Sequence, residues 1–178
     1  LRPTAGEAAK KLTVLYLLIT AGALGGYLLG GMGTFDAVNH AFSVVATGGF
    51  STKDESIAAF GTPFIEWWTI LIMIMVGLNF TLLGQLLRGR LGVLRDLETK
   101  TFLGLKITCS VLTALVLALS LTVWQDTAGD EHTGFLTALR HGTFVTVAMQ
   151  TGTGFCLADY SAWPYLTVAL IFGLAAIG

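Results

Sequence analysis

The chain has 178 residues, of which 54% are hydrophobic and only 12% are charged, and its mean hydropathy is +0.75. Soluble domains carry about 25% charged residues, so this composition excludes an ordinary soluble domain and indicates an integral membrane protein. The net charge of −1 indicates no particular partner, and we expect no nucleic-acid partner. Because the chain begins at Leu1 without a Met and stops at Gly178 inside an apolar run, we expect it to be part of a longer protein.

The first half of the chain contains two apolar segments of membrane-spanning length, separated by a shorter helix and a glycine-rich loop. The predicted spans are residues 12–35 and 65–87, because about 20 apolar residues cross the hydrocarbon core. Between them, residues 36–46 form a predicted helix that reaches only about 16 Å, and Asp36 suits its N-cap. This short helix runs into the loop 47–51, so we predict a re-entrant pore loop in which the negative end of the helix dipole faces a cation.

The second half repeats this order of segments. It contains predicted spans at 101–124 and 160–178, a short helix at 135–150 and a Thr/Gly loop at 151–156. The dipeptide Gly49-Phe50 aligns with Gly154-Phe155 at an offset of 105 residues, and Pro63 aligns with Pro164 at an offset of 101. Two copies that share these features indicate an internal repeat.

The repeat predicts both the fold class and the division of the chain. We expect an all-α integral membrane protein with two tandem units, each made of a membrane helix, a re-entrant pore loop and a second membrane helix. The first unit covers residues 1–100 and ends in the linker 88–100, and the second unit covers residues 101–178.

The charges divide between the two sides of the membrane as this topology requires. With the N-terminus and the basic linker in the cytoplasm, eight of the ten Lys and Arg residues lie inside, which leaves Lys53 and Arg140 outside. These eight are Arg2, Lys10, Lys11, Arg88, Arg90, Arg95, Lys100 and Lys106. The acids expected on the outer side are Asp36, Asp54, Glu55, Glu66, Asp126, Asp130, Glu131 and Asp159. Both loops then enter from outside, and Lys106 is close enough to a helix end to snorkel.

Two features inside the helices have a packing interpretation. Gly22, Gly26 and Gly30 recur at every fourth residue, a small-residue pattern that permits close contact between membrane helices. His40 lies within the first short helix, where a hydrogen-bonded packing role is favoured over a ligand role. The cysteines Cys109 and Cys156 have no metal-ligand spacing, and we do not expect them to form a disulfide.

The two Thr/Gly loops carry the functional prediction. A dehydrated monovalent cation needs several oxygen dipoles without a strong fixed counter-charge, and backbone carbonyls supply them. The candidate carbonyls are those of Thr47, Gly48, Gly49, Gly152, Thr153 and Gly154. We expect Phe50 and Phe155 to wedge the loops against neighbouring helices. Just past the loops, Asp54, Glu55 and Asp159 either concentrate cations at the extracellular mouth or are only solvated loop charges.

Three stretches of the chain carry a resemblance to a known family. The segments FDAVNHAFSVVATGGFSTKDESIAAF, GLNFTLLGQLLRGRLGVLRDLE and TVAMQTGTGFCLADYSAWP resemble the Trk/Ktr/HKT potassium transporters, specifically the TrkH-type membrane subunit. In that family four pore-loop units surround one pore, and this chain resembles the second and third. The resemblance implies potassium uptake through a filter at 47–50 and 152–155, with Phe50 and Phe155 included and Gly49 and Gly154 at the filter-glycine position.

The resemblance has further implications for gating and partners. It implies a gating loop that begins near the end of the chain, between Gly173 and Gly178. It also implies a homodimer in the cell inner membrane, in contact with lipid, and a cytosolic nucleotide-binding regulatory subunit of the TrkA type. The only small ligand expected is the transported K⁺, with no organic cofactor.

Other functions remain open at this stage. A Na⁺/K⁺ channel or symporter of the same fold would use the same loops. An intramembrane serine hydrolase would pair Ser51 with His40 or His141, but no oriented base is evident and we do not expect an enzyme. A purely structural membrane subunit would not need two re-entrant loops, and the lack of a phosphate-binding GxxxxGK[ST] motif argues against a pump.

Overall fold

The computed structural model describes residues 5–78, 97–119, 124–125, 131–132, 135–159, 163 and 165–177. Within these ranges the α-helices are α1 (Ala5–Leu29), α2 (Thr34–Val45), α3 (Pro63–Gly77), α4 (Leu97–Leu119), α5 (Phe135–Gln150) and α6 (Tyr165–Ile177). A short 3-10 helix covers Ser56–Phe60, and two short antiparallel strands, β1 (Trp124–Gln125) and β2 (Glu131–His132), pair before α5. The predicted helical fold is therefore confirmed, with this two-residue ladder as an addition.

The helices form the same arrangement in each half of the chain. Helices α1, α2 and α3 pack against one another, and α4, α5 and α6 do the same. Helix α3 also packs against α5, which joins the two halves. Apolar residues of α5 and of the second loop, including Phe144 and Phe155, belong to the same buried cluster as residues of α1, α2 and α3. The predicted tandem repeat is thus present as two similar three-helix units with a shared core.

The described helices differ in how far they could cross a membrane. Among the described residues, only the segment Ala9–Leu29 of α1 is long and apolar enough to span, while Pro63–Gly77 and Gly104–Val116 are shorter apolar helices. The predicted span 65–87 extends into residues 79–87, which lie outside the described residues, as does the predicted linker up to residue 96.

Helix α1 ends earlier than the predicted span. Gly31 adopts a φ of +93°, and its N–H donates to the Leu28 carbonyl at 3.1 Å. The Met32 N–H donates to the Tyr27 carbonyl at 3.0 Å, which completes a Schellman motif. The uncharged run to Phe35 therefore contains a helix end and the start of α2, because glycine permits the left-handed turn between them.

Helix α1 packs on α3 through the predicted glycine face. A Cβ added to Gly26 would lie 2.0 Å from the Trp68 ring, and one added to Gly30 would lie 2.6 Å from Ile65. Trp68 also donates its indole N–H to the Ala23 carbonyl at 3.3 Å. The packing role is confirmed for Gly26 and Gly30, whereas Gly22 faces open space.

Two predictions about charged residues are wrong. Asp36 is not the N-cap of α2, because the helix begins two residues earlier with Gly33 at that position. The Asp36 carboxylate instead accepts a hydrogen bond from Thr52 and pairs with Lys53 at 3.8 Å. Lys106 does not snorkel, since only 2% of it is exposed. Glu66, for which the outer side stays a prediction, is buried and pairs with Arg140 of α5.

Candidate selectivity filter

The first Thr/Gly loop begins at the C-terminus of α2. The N–H of Thr47 donates to the Val44 carbonyl at 3.2 Å, and that of Gly48 donates to the Ser43 carbonyl at 2.8 Å. Thr47 has a φ of +52°, so the helix ends in a Schellman motif whose left-handed residue is a threonine. The short helix therefore ends at Val45, and the loop begins with a left-handed turn.

The second loop begins in a similar way at the end of α5. The N–H of Gly152 donates to the Met149 carbonyl at 3.1 Å, and Gly152 has a φ of +68°. Gly154 then donates to the Ala148 carbonyl at 3.2 Å. The Thr153 hydroxyl lies 2.9 Å from that of Thr151, and the Thr153 side chain is buried.

The two loops share one backbone pattern. Positive φ values occur at Thr47 and Gly49 (+52° and +68°) and at the aligned Gly152 and Gly154 (+68° and +74°), but not at the residue between each pair. Backbone carbonyls of such non-helical loops are the groups that replace the hydration shell of K⁺ in selectivity filters. The repeat seen in the sequence is therefore also a repeat of loop conformation.

The loops of the two repeats lie against each other. A Cβ added to Gly49 would lie 2.0 Å from the carbonyl oxygen of Thr153 and 3.1 Å from the carbonyl carbon of Gly154. Both contacts are to backbone atoms, which cannot rotate away as a side chain can. Glycine at position 49 is therefore required by the left-handed φ and by the approach of the second loop.

The two phenylalanines of the loops have different environments. Phe155 is 1% exposed, and its ring stacks on His40 of α2 with ring centroids 5.8 Å apart. The predicted wedge is confirmed for this residue. Phe50 is 81% exposed, so the wedge prediction is wrong for Phe50 within the described residues, where no helix covers the ring.

His40 makes the contacts expected of a packing residue. Its side chain is fully buried, with Nδ1 2.8 Å from the Asp36 carbonyl oxygen and Nε2 2.9 Å from the Ser51 hydroxyl. The hydrogen-bonded packing role predicted for His40 is confirmed. Its contact with Ser51 is the pairing considered for the hydrolase alternative, and here it joins the loop to α2.

A second contact joins the end of the second loop to the first repeat. The Cys156 N–H donates to the Ser56 hydroxyl at 3.3 Å, and the Ile57 N–H donates to the Cys156 carbonyl at 3.3 Å. The Cys156 side chain is half-buried and its thiol is free, as is that of Cys109, so the absence of a disulfide between them is confirmed. Burial raises the pKa of the Cys156 thiol, and the Asp159 carboxylate raises it further.

The remaining predicted site residues lie apart from this contact. Asp54, Glu55 and Asp159 are exposed in the segments that follow the loops, where predicted mouth charges would have to be. Gly173 lies within α6, which continues without interruption to Ile177. Gly178 lies outside the described residues, so the gate prediction stays a prediction.

A buried ion pair between the repeats was missed in the sequence. Arg140 Nε on α5 pairs with Glu66 Oε2 on α3, and their side chains are only 19% and 6% exposed. Both are expected on the outer side, but their pairing is not. Each is the one Asp, Glu, Lys or Arg residue of its helix, but sequence alone does not show which helices meet.

Residues 11–178 match the sequence model of the TrkH family, described as cation transport proteins. The chain belongs to the TrkH family. Membership in this transporter family argues against the hydrolase alternative, although Ser51 and His40 do contact each other. The His40 ring is buried among aromatic side chains.

Several members of the TrkH family are similar along the whole chain. The Trk system potassium uptake protein TrkH of Salmonella typhimurium is 36% identical over 180 residues, which cover 100% of this chain and 35% of that protein. The Trk system potassium uptake protein TrkI of Halomonas elongata is 36% identical over 178 residues, with 99% and 34% covered. The chain thus spans about a third of the length of these relatives.

A solved structure gives the same result for the fold. The crystal structure of the potassium transporter TrkH from Vibrio parahaemolyticus superposes with a TM-score of 0.85 at 27% identity, covering 98% of this chain and 36% of that one. The helical membrane-transporter fold is therefore established for this chain.

Proposed function

We propose that this chain supplies two quarters of a potassium-selective filter in a membrane protein that takes up K⁺. The ligands in this proposal are the backbone carbonyls of loop residues 47–49 and 152–154. The observation that carries it is the direct contact of two loops with the same alternating backbone, at Gly49 and Thr153. Backbone carbonyls without a fixed counter-charge suit a monovalent cation that must leave again.

The choice of potassium is supported by the relatives. The similar proteins of Salmonella typhimurium and Halomonas elongata are named potassium uptake proteins. A Na⁺/K⁺ channel or symporter would use the same carbonyls, so the ratio of K⁺ to Na⁺ flux distinguishes these functions. The charges of Asp54, Glu55 and Asp159 are assigned to the extracellular mouth, where they raise the local cation concentration.

The proposal extends to location and partners. The protein lies in the inner membrane with the basic linker 88–100 in the cytoplasm, and its units are residues 1–100 and 101–178. Lipid contact is supported by large apolar side chains on α1 that are more than half exposed, such as Leu17 and Leu18. A homodimer and a cytosolic nucleotide-binding subunit complete the assembly, in keeping with relatives named as parts of a Trk system.

Substitution of Gly49 in the full-length protein tests the filter. Gly49→Ala places a Cβ where the Thr153 carbonyl oxygen lies, so it distorts both loops at once. Gly61→Ala is the matched control, because Gly61 also has a positive φ (+55°) but nothing lies within 4 Å of its Cβ position. We expect K⁺ uptake or K⁺/Na⁺ selectivity to be lost in Gly49→Ala only. Equal uptake and selectivity in the two variants would contradict the proposal.

A further inference from the structure

His40 contacts both filter loops at once. Its Nε2 lies 2.9 Å from the hydroxyl of Ser51, the residue that follows Gly49-Phe50 in the first loop. Its ring stacks on Phe155 of the second loop at an interplanar angle of 20°. The side chain is 0% exposed, so neither contact competes with water. One side chain of α2 therefore links two loops that belong to different repeats.

The hydrogen bonds define how the imidazole is protonated. The Asp36 carbonyl oxygen, 2.8 Å from Nδ1, can only accept, so Nδ1 carries the hydrogen. In the neutral ring Nε2 is then an acceptor for the Ser51 hydroxyl. The Ser51 oxygen in turn accepts from the Lys53 N–H at 3.1 Å. Every polar atom in this chain of contacts has a partner of the required kind.

Aromatic neighbours fix the plane of the imidazole. Phe60 contacts it edge-on with ring centroids 5.1 Å apart, and Tyr27 does so at 6.2 Å. Together with the stacked Phe155, these rings enclose the imidazole on three sides in geometries that aromatic pairs prefer. A ring held in this way transmits a displacement of one loop to the other.

The aligned positions of the second repeat carry side chains that do not form this link. At the offset of 105 residues, His40 corresponds to Val145 and Ser51 corresponds to Cys156. Val145 is buried in the apolar cluster formed with Ala138 and Ile171. Because Val145 has no hydrogen-bonding side chain, this contact between the loops comes from His40.

We infer that His40 is a positioning residue of the filter, which holds the Ser51 end of the first loop and Phe155 of the second loop in a fixed relation. This inference rests on the proposed function and deepens it, since it assigns a determinant of ion selectivity outside the loops. His40 itself does not touch the ion; it acts through the two loops.

The test compares K⁺/Na⁺ flux ratios of the full-length protein in cells that lack other K⁺ uptake. His40→Leu and Ser51→Ala each remove the hydrogen bond, and His40→Gln retains an acceptor that can reach Ser51. His141→Leu is the matched control, because His141 is a buried histidine of α5. Detergent-solubilised protein is quantified for each variant, so that ratios are compared at equal amounts of folded transporter.

We expect the flux ratio to fall roughly threefold to tenfold in His40→Leu and in Ser51→Ala, the effect of losing one hydrogen bond. The double variant falls no further than the more affected single variant, because both remove the same interaction. His40→Gln retains part of the K⁺/Na⁺ flux ratio that His40→Leu loses. His141→Leu leaves the ratio unchanged and at most lowers the amount of folded protein. A double variant whose flux ratio falls by the product of the two single-variant losses would contradict a shared link.

The failure of this inference differs from the failure of the filter itself. A wild-type flux ratio in both His40→Leu and Ser51→Ala, with Gly49→Ala still impaired, would overturn the role of His40 and leave the filter in place. A wild-type flux ratio in Gly49→Ala as well would contradict the proposed filter.

Discussion

The Cα of Gly49 lies so close to the carbonyl oxygen of Thr153 that a Cβ at position 49 would be 2.0 Å from that oxygen. This contact joins the loops of two repeats whose glycines are 105 residues apart in sequence. It explains why one loop cannot be considered alone: the conformation of each limits the side chains that the other accepts.

The buried ion pair between Glu66 and Arg140 is expected to stabilise the junction of the two repeats. Glu66→Gln leaves the Arg140 charge buried without its counter-charge, so we expect a loss of about 3–5 kcal/mol in the free energy of unfolding. Lys53→Ala, which removes the half-exposed partner of Asp36, is the control, and its cost should stay within about 1 kcal/mol. Denaturant titration of the detergent-solubilised variants measures both free energies of unfolding. Equal losses in the two variants would contradict a stabilising ion pair at this junction.

The packing of α1 on α3 should depend on Gly26 and not on Gly22. Gly26→Ala places a methyl group 2.0 Å from the Trp68 ring, and we expect a destabilisation of about 1–3 kcal/mol from this overpacking. Gly22→Ala on the same helix meets nothing within 4 Å and should be neutral or slightly stabilising. Thermal unfolding of the two variants measures the difference, and a greater loss in Gly22→Ala would show that α1 packs by another face.

Thr47 tests whether the ligand at that position is the backbone or the side chain. Thr47→Gly relieves a left-handed conformation that costs a threonine roughly 1–2 kcal/mol, and it loses about 0.5–1 kcal/mol through the freedom of glycine in the unfolded chain. The two terms nearly offset, so stability should change little. Because the carbonyl remains, we expect the K⁺/Na⁺ flux ratio to be retained. A lost ratio in a stably folded variant would assign the ligand to the threonine hydroxyl.

The reactivity of Cys156 should depend on pH and on Asp159. Burial and the Asp159 carboxylate both raise the thiol pKa, so the thiolate is scarce at neutral pH and alkylation is slow. The rate should rise as the pH increases toward that pKa. Asp159→Asn removes a negative charge, lowers the pKa and should therefore speed alkylation at a fixed pH. The rates are measured in a Cys109→Ala background, and a slower reaction in Asp159→Asn would contradict the electrostatic account.

The sequence predicted elements better than it predicted the contacts between them. The short helix at 135–150 has the predicted bounds, because its apolar length and the following glycines define both ends. The first short helix was placed two residues late, since Asp36 suggested a cap whereas Gly33 holds that position. Hydrophobic length and glycine spacing are local properties, and a single sequence reports them directly.

Contacts that depend on the relative position of the repeats could not be predicted in this way. One such contact is the ion pair of Glu66 with Arg140, which joins helices of different repeats. Another is the hydrogen bond of His40 with Ser51, which forms because the first loop folds back onto α2. Phe50 and Phe155 are equivalent in sequence, yet one is exposed and the other is buried, because only Phe155 meets the α2 of another repeat. Their difference in exposure arises from where each loop lies among the repeats. The sequence around each phenylalanine does not indicate it.

The most direct test of the filter is to locate a K⁺ substitute in the full-length protein. Crystals grown with Tl⁺, a monovalent cation that scatters anomalously, would show where the ion binds. The account predicts anomalous density between the first and second loops, within coordination distance of the carbonyl oxygens of residues 47–49 and 152–154. Tl⁺ density elsewhere in the protein, with none between these loops, would contradict it.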